Sequence, residues 1–191
     1  MTGKSHQTIG QLCGLSSYLY LVQPHYGPAT LSMVAVVSSI GALFPDIDTP
    51  TAKIWSYLPF GAGQIGGQLV NPFLQHRNLT HSLLGYGLVT ALFWRLLEHL
   101  PTYWGIHSNQ VFLAGTLAYG SHLLADSVTV QGIPLLFPYQ KMFGIPPYPF
   151  QGFRIETGKW FENLIVYPAV NLALVAMLVD RWTVVRQILF Q

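Results

Sequence analysis

The stretch Pro28-Ala29-Thr30-Leu31-Ser32-Met33-Val34-Ala35-Val36-Val37-Ser38-Ser39-Ile40-Gly41-Ala42-Leu43-Phe44-Pro45 contains no charged side chain, and from Leu31 to Phe44 every residue is apolar or small. A helix on the surface of a soluble domain keeps one charged or strongly polar face. This one has none, so it reads as a helix surrounded by lipid or by other apolar helices. Four further segments read the same way: Ile9 to Val22, interrupted by Gln11, Ser16 and Ser17; Ser82 to Leu97; Val111 to Val128; and Glu162 to Val179. Several span only 16 to 18 residues, against about 20 for a straight crossing. Local thinning of the bilayer or partial entry accommodates that length.

Composition points the same way. Hydrophobic residues make up 51% of the 191 and charged residues 8%, where soluble domains carry about 25% charge. The expectation is an all-α, polytopic membrane protein: one membrane-embedded domain over residues 1–191, with about five transmembrane or membrane-embedded helices. A net charge of +2 without a Lys/Arg run gives no footing for nucleic acid. The single cysteine, Cys13, excludes an internal disulfide and a CxxC thiolate site. The polar first ten residues, with Lys4 and His6, do not read as a cleavable signal peptide. Two long connections, Asp46 to Thr80 with its Gly61–Gly67 glycine cluster and the aromatic, proline-rich Thr129 to Trp160, read as ordered loops at the membrane interface.

Tracing five helices back and forth puts the polar residues at one end of the bundle. Asp46 and Asp48 emerge where the second helix ends, His76 and His81 stand at the entrance to the third, His122 and Asp126 lie in the last turns of the fourth, and Glu162 opens the fifth. With His6, four of seven histidines and four of seven acidic residues meet there, while His25, His99, His107, Glu98 and Asp180 fall at the other end. His122 and Asp126, four apart, share one helix face. An aspartate in the apolar part of a bilayer costs about 2.5–3.5 kcal/mol, a cost that a cation beside it offsets. Pro45 is expected to end the second helix and leave Asp46-Ile47-Asp48 irregular, and Thr80 to cap the third. Each piece also has a plain reading: Asp-x-Asp as a turn, His81 as an interface residue, His122–Asp126 as a helix-joining hydrogen bond, Arg77 as a headgroup contact. Their convergence favours a metal site.

The motifs Leu43-Phe44-Pro45-Asp46-Ile47-Asp48, His76-Arg77-Asn78-Leu79-Thr80-His81-Ser82 and Ser121-His122-Leu123-Leu124-Ala125-Asp126, in this order, resemble the YdjM family over nearly the whole chain. That resemblance implies a prokaryotic inner-membrane protein with a metal-dependent hydrolase activity. It marks His6, Asp46, Asp48, His76, His81, His122 and Asp126 as the polar constellation, with Glu162 beside them. Asn78 departs from the glycine expected in the loop, but asparagine tolerates left-handed backbone. The ligand order is also similar to that of zinc-dependent phospholipase C and its nuclease relatives.

Eight nitrogen and oxygen candidates exceed the three protein ligands of a catalytic zinc, so one or two divalent ions are expected: zinc first, with manganese, iron or magnesium also compatible with a sulfur-free set. Asp48, His81 and Arg77 are the candidate catalytic residues, Arg77 holding a phosphate, with Arg154 and Lys159 as substitutes. The expected reaction is hydrolysis of an ester or phosphoester in a lipid or membrane-associated substrate. HExxH, GxSxG and P-loop patterns are missing from the sequence. The rivals are a metal or proton transporter, which needs polar residues continuing across the membrane, and a scaffold whose structural metal ties helices together. Lys4, Lys53, Arg77, Lys141, Arg154 and Lys159 at the site end, against Arg95, Arg181 and Arg186 at the other, predict a cytoplasmic site in a multi-pass protein. The sequence leaves the oligomeric state open.

Overall fold

A computed structural model describes residues 1–21, 27–49, 51–57, 79–99, 104–139 and 141–190. The described residues form six α-helices: α1 (Gly3–Leu21), α2 (Pro28–Leu43), α3 (Leu83–Glu98), α4 (Ser108–Ser127), α5 (Tyr167–Asp180) and α6 (Trp182–Leu189). Among the described residues there is no strand, only isolated bridges from Thr129 to Ile155 and from Ile133 to Phe143. The protein is all-helical, as expected. Among the described residues two helical stretches, Pro28–Asp48 and Glu162–Asp180, are long and apolar enough to cross a membrane, by length and composition.

Four local differences from the sequence reading matter for the site. Helix α1 begins at Gly3, so His6 stands on its first two turns rather than in a polar leader. Pro45 does not release the chain into irregular backbone. Phe44–Asp48 continues α2 as a 3-10 turn, with the proline in the first turn where its missing N–H is not needed. Ser82, not Thr80, caps α3: its hydroxyl oxygen accepts from Gly85 N–H at 3.0 Å. Glu162–Val166 is a single π turn that opens the last long helix, and α6 is an added short helix.

Helices α1, α2 and α4 pack tightly on one another, with α5 against α1 and α3 against α4. Small residues make this possible. A Cβ on Gly10 would stand 2.2 Å from Ala42 Cβ, and one on Gly14 1.9 Å from Ser38 Oγ. Only glycine lets the backbones of α1 and α2 approach this closely, the device helices use where lipid removes the hydrophobic drive to associate. The apolar core of Tyr18, Leu19, Val34, Leu97, Val111 and Met177 fills the end where α1 and α5 finish and α4 begins. There Tyr20 OH donates to Asp180 Oδ2 at 2.7 Å.

At the other end the interior is polar. His6, Asp48, His81, His122, Asp126 and Glu162 are all buried, while Leu88, Leu92 and Leu96 on α3 and Leu172, Val175 and Val179 on α5 are exposed. The connection after α4 is held by Ile155 N–H on Val128 O at 3.0 Å and Phe143 N–H on Ile133 O at 2.7 Å. It exposes Tyr148, Phe150, Phe153 and Trp160.

Candidate metal centre

Four helix ends deliver the side chains. His6 comes from α1, Asp46 and Asp48 from the turn after α2, His81 from just before α3, and His122 and Asp126 from the last turns of α4. The backbone around His81 is fixed on both sides. Tyr119 OH donates to Thr80 O at 2.7 Å, and Leu83 N–H donates to Leu135 O at 3.0 Å.

His122 Nδ1 lies 2.6 Å from Ala42 O. A carbonyl can only accept, so Nδ1 carries the proton and Nε2 presents its lone pair to the interior. That Nε2 is buried without a hydrogen-bond partner. It stands 3.7 Å from Asp46 Oδ1 and 3.8 Å from Asp126 Oδ2. His81 Nε2 faces the same two oxygens, at 3.5 Å and 3.7 Å. Metal bonds of about 2.0–2.1 Å at tetrahedral angles separate neighbouring donor atoms by about 3.4 Å. Each of these histidine–carboxylate separations is close to that of neighbouring ligands, and the ligand atoms of Asp46, His81 and His122 lie close enough together to share one ion.

Among the described residues, two three-residue groups have ligand atoms close enough to share an ion: Asp46, His81 and His122, and His6, His122 and Asp126. The two are not equivalent. The His6 and His122 rings stack, centroids 3.6 Å apart and planes 12° from parallel. An imidazole lone pair lies in its ring plane, and an ion midway between these planes would sit about 1.8 Å off each, half of 3.6 Å. Only one ring of a stacked pair can hold a given ion well. His81 and His122 cross at 68°, so their in-plane lone pairs can converge. His6 Nε2 instead approaches Asp126 Oδ1 at 3.1 Å, and the terminal ammonium of Met1 donates to the same oxygen. Both leave Oδ2 turned toward His81 and His122.

The remaining candidates are placed differently. Asp48 lies outside both groups and is buried; its Oδ2 accepts from Thr80 OH at 3.0 Å and its Oδ1 from Thr49 OH at 3.2 Å. Glu162 also lies outside both groups: Thr2 N–H, Thr2 OH and Ser5 OH donate to its Oε1 at 2.6–2.7 Å, and Gly158 N–H donates to Oε2 at 2.7 Å. It ties the start of α1 to the last long helix. The Arg154 guanidinium, expected only as a substitute for Arg77 in holding a phosphate, is taken up by Pro146 O at 2.9 Å and Gly144 O at 3.0 Å. His76, Arg77 and Asn78 lie outside the described residues. Sequence reading did not reach the Ala42 carbonyl or the Thr80 hydroxyl; only the adjacency of Thr80 to His81 pointed toward the latter.

An apolar exterior around a buried, sulfur-free cluster of imidazoles and carboxylates defines a helical membrane protein able to hold a metal ion. The sequence profile described as YdjM inner membrane protein matches residues 1–187, and the chain belongs to that family. Relatives include the uncharacterized protein YvsG of Bacillus subtilis (strain 168), 29% identical over 167 residues, covering 87% of this chain and 88% of the relative. The inner membrane proteins YdjM of Escherichia coli (strain K12) and Shigella flexneri are each 29% identical over 158 residues, 82% of this chain and 76% of theirs. No solved structure matches.

Proposed function

We propose that this chain is a multi-pass inner-membrane hydrolase that depends on a divalent metal and cleaves an ester or phosphoester in a lipid or membrane-associated substrate. The observation that carries the reading is the convergence of His81 Nε2 and His122 Nε2 on Asp46 Oδ1 and Asp126 Oδ2 at 3.5–3.8 Å. A divalent ion held there would polarise a carbonyl or phosphoryl oxygen and activate water. Zinc suits two imidazoles and two carboxylates, and manganese or iron accept the same donors. His122 has one nitrogen to offer, since Nδ1 is taken by Ala42 O. The described residues therefore support one ion at this point; a second requires further donors.

The protein groups divide the remaining work. His81, His122 and Asp126 are buried on all sides, whereas the Asp46 side chain is 21% exposed. Substrate is therefore proposed to approach past Asp46, where a hydrolytic centre needs its open position. The transporter reading needs a polar route along the bundle. Three of the hydroxyls there turn back on their own helices, Ser17 to Gly14 O, Ser38 to Val34 O and Ser121 to Ala118 O, each at 2.6–2.7 Å. A structural ion tying helices together is favoured by the burial of His81 and His122, and the experiment separates it from a hydrolase. Membrane lipid extract is incubated with wild type and with His81→Ala, with and without chelator, and followed by mass spectrometry. A hydrolase consumes a lipid species only as metal-loaded wild type and resists serine-directed reagents. A protein that binds metal and leaves every species intact in all arms overturns the hydrolase in favour of the structural ion.

A further inference from the structure

We propose that Asp48 and Thr80 form a relay that fixes the tautomer of His81, so that Asp48 acts on the centre through this histidine and not as a ligand. The inference rests on the reading of the cluster as a metal centre. Thr80 Oγ1 carries one proton and donates it to Asp48 Oδ2 at 3.0 Å. The same oxygen lies 3.2 Å from His81 Nδ1. With its proton already placed on the carboxylate, Thr80 can only accept from the ring, so Nδ1 carries the hydrogen. Nε2 is then the lone-pair nitrogen, and it is the one that faces Asp46 Oδ1 and Asp126 Oδ2.

Asp48 is too far from the ring to do this directly, at 4.0 Å from His81 Nδ1. The Thr80 hydroxyl bridges the gap, and Thr80, His81 and Asp48 are all buried, so water does not compete freely for either bond. The arrangement parallels the Ala42 carbonyl on His122: two neighbouring histidines are held in one tautomer by two different acceptors. Ligating histidines are generally oriented by such a partner, whose removal lowers metal affinity about 10–100-fold.

The test is cobalt(II) titration of the purified full chain in detergent, read by visible absorption, together with the ring-nitrogen NMR shifts of 15N-histidine-labelled protein. Thr80→Val should weaken cobalt binding about 10–100-fold, and Thr80→Ser, which keeps the hydroxyl, should restore it. Asp48→Asn should weaken binding to a similar degree yet give the wild-type spectrum at saturation. The double variant should be no worse than either single one. Wild-type affinity in Thr80→Val overturns the relay. So does a saturated spectrum that changes in Asp48→Asn alone, which would make Asp48 a ligand. If wild type binds no cobalt, the metal reading fails by itself and the relay is judged on the NMR: a Nδ1-protonated His81 that becomes a tautomer mixture in Thr80→Val supports it, and an unchanged tautomer overturns it.

Discussion

At the residue scale, the seven described candidates at one end of the bundle (His6, Asp46, Asp48, His81, His122, Asp126 and Glu162) are not placed alike. What separates them is how each carboxylate or ring nitrogen is already occupied. Asp126 presents Oδ2 to His81 and His122, whereas the Glu162 oxygens accept four hydrogen bonds from Thr2, Ser5 and Gly158. Asp126→Ala is therefore expected to lower bound metal at least tenfold by elemental analysis of the purified protein. Asp180→Ala, at the Tyr20 end, should leave metal content unchanged, and equal loss in the two variants would refute the assignment. Glu162→Ala should behave in the opposite way to Asp126→Ala. The donors it strands destabilise the fold by about 1–3 kcal/mol, lowering the unfolding temperature, while metal per folded molecule stays the same. The pairing of His122 with Asp126 was legible because helical periodicity puts residues four apart on one face. The inward turn of Ala42 O and the saturation of Glu162 were not legible, since both depend on which helices meet.

At the element scale, the site exists because α1 and α2 come unusually close. Gly10 and Gly14 bring α1 against Ala42 and Ser38, and Ala42 O is also the acceptor that orients His122. Gly14→Ala should therefore do two things: destabilise the fold by about 1–3 kcal/mol through overpacking, and weaken metal binding by shifting α2. Gly87→Ala, on α3 with nothing within 4 Å of the added carbon, should leave the thermal midpoint in detergent unchanged or raise it. A Gly14→Ala protein as stable as Gly87→Ala would mean that the close approach does not hold the bundle. The five apolar stretches were readable from composition and length, and all five are helical. Their ends were read less well. In the first turns of α1, Ser5, His6 and Thr8 are buried, Ser5 on the carboxylate of Glu162 and His6 in the cluster, a tertiary environment that a hydropathy pattern cannot express. The continuation through Pro45 depends on a 3-10 turn that tolerates proline at its start.

At the scale of the whole molecule, polar groups are gathered inside one end while leucines and valines of α3 and α5 face outward, the reverse of a soluble domain and the arrangement expected of an inner-membrane family. That gathering makes the orientation of the chain a functional question, because it decides which leaflet meets Asp46. Lys4, Lys53, Lys141, Arg154 and Lys159 belong to the site end; Arg95, Arg181 and Arg186 belong to the other, where Arg95 pairs with Glu98 at 3.2 Å and Arg181 with Asp180 at 3.4 Å. Short segments rich in Lys and Arg stay on the cytoplasmic side, which predicts a cytoplasmic centre. With Cys13 replaced by alanine, Phe153→Cys, exposed in the connection beside the site, should react with a membrane-impermeant maleimide in inverted vesicles and not in intact spheroplasts. If all five long helices cross the bilayer, the chain ends on the face opposite the site, and a reporter fused after Leu189 should be active only outside. Labelling of Phe153→Cys from outside would move the centre to the outer leaflet. A cytoplasmic reporter together with cytoplasmic labelling would mean that one of α1, α3 or α4 enters the bilayer without crossing it.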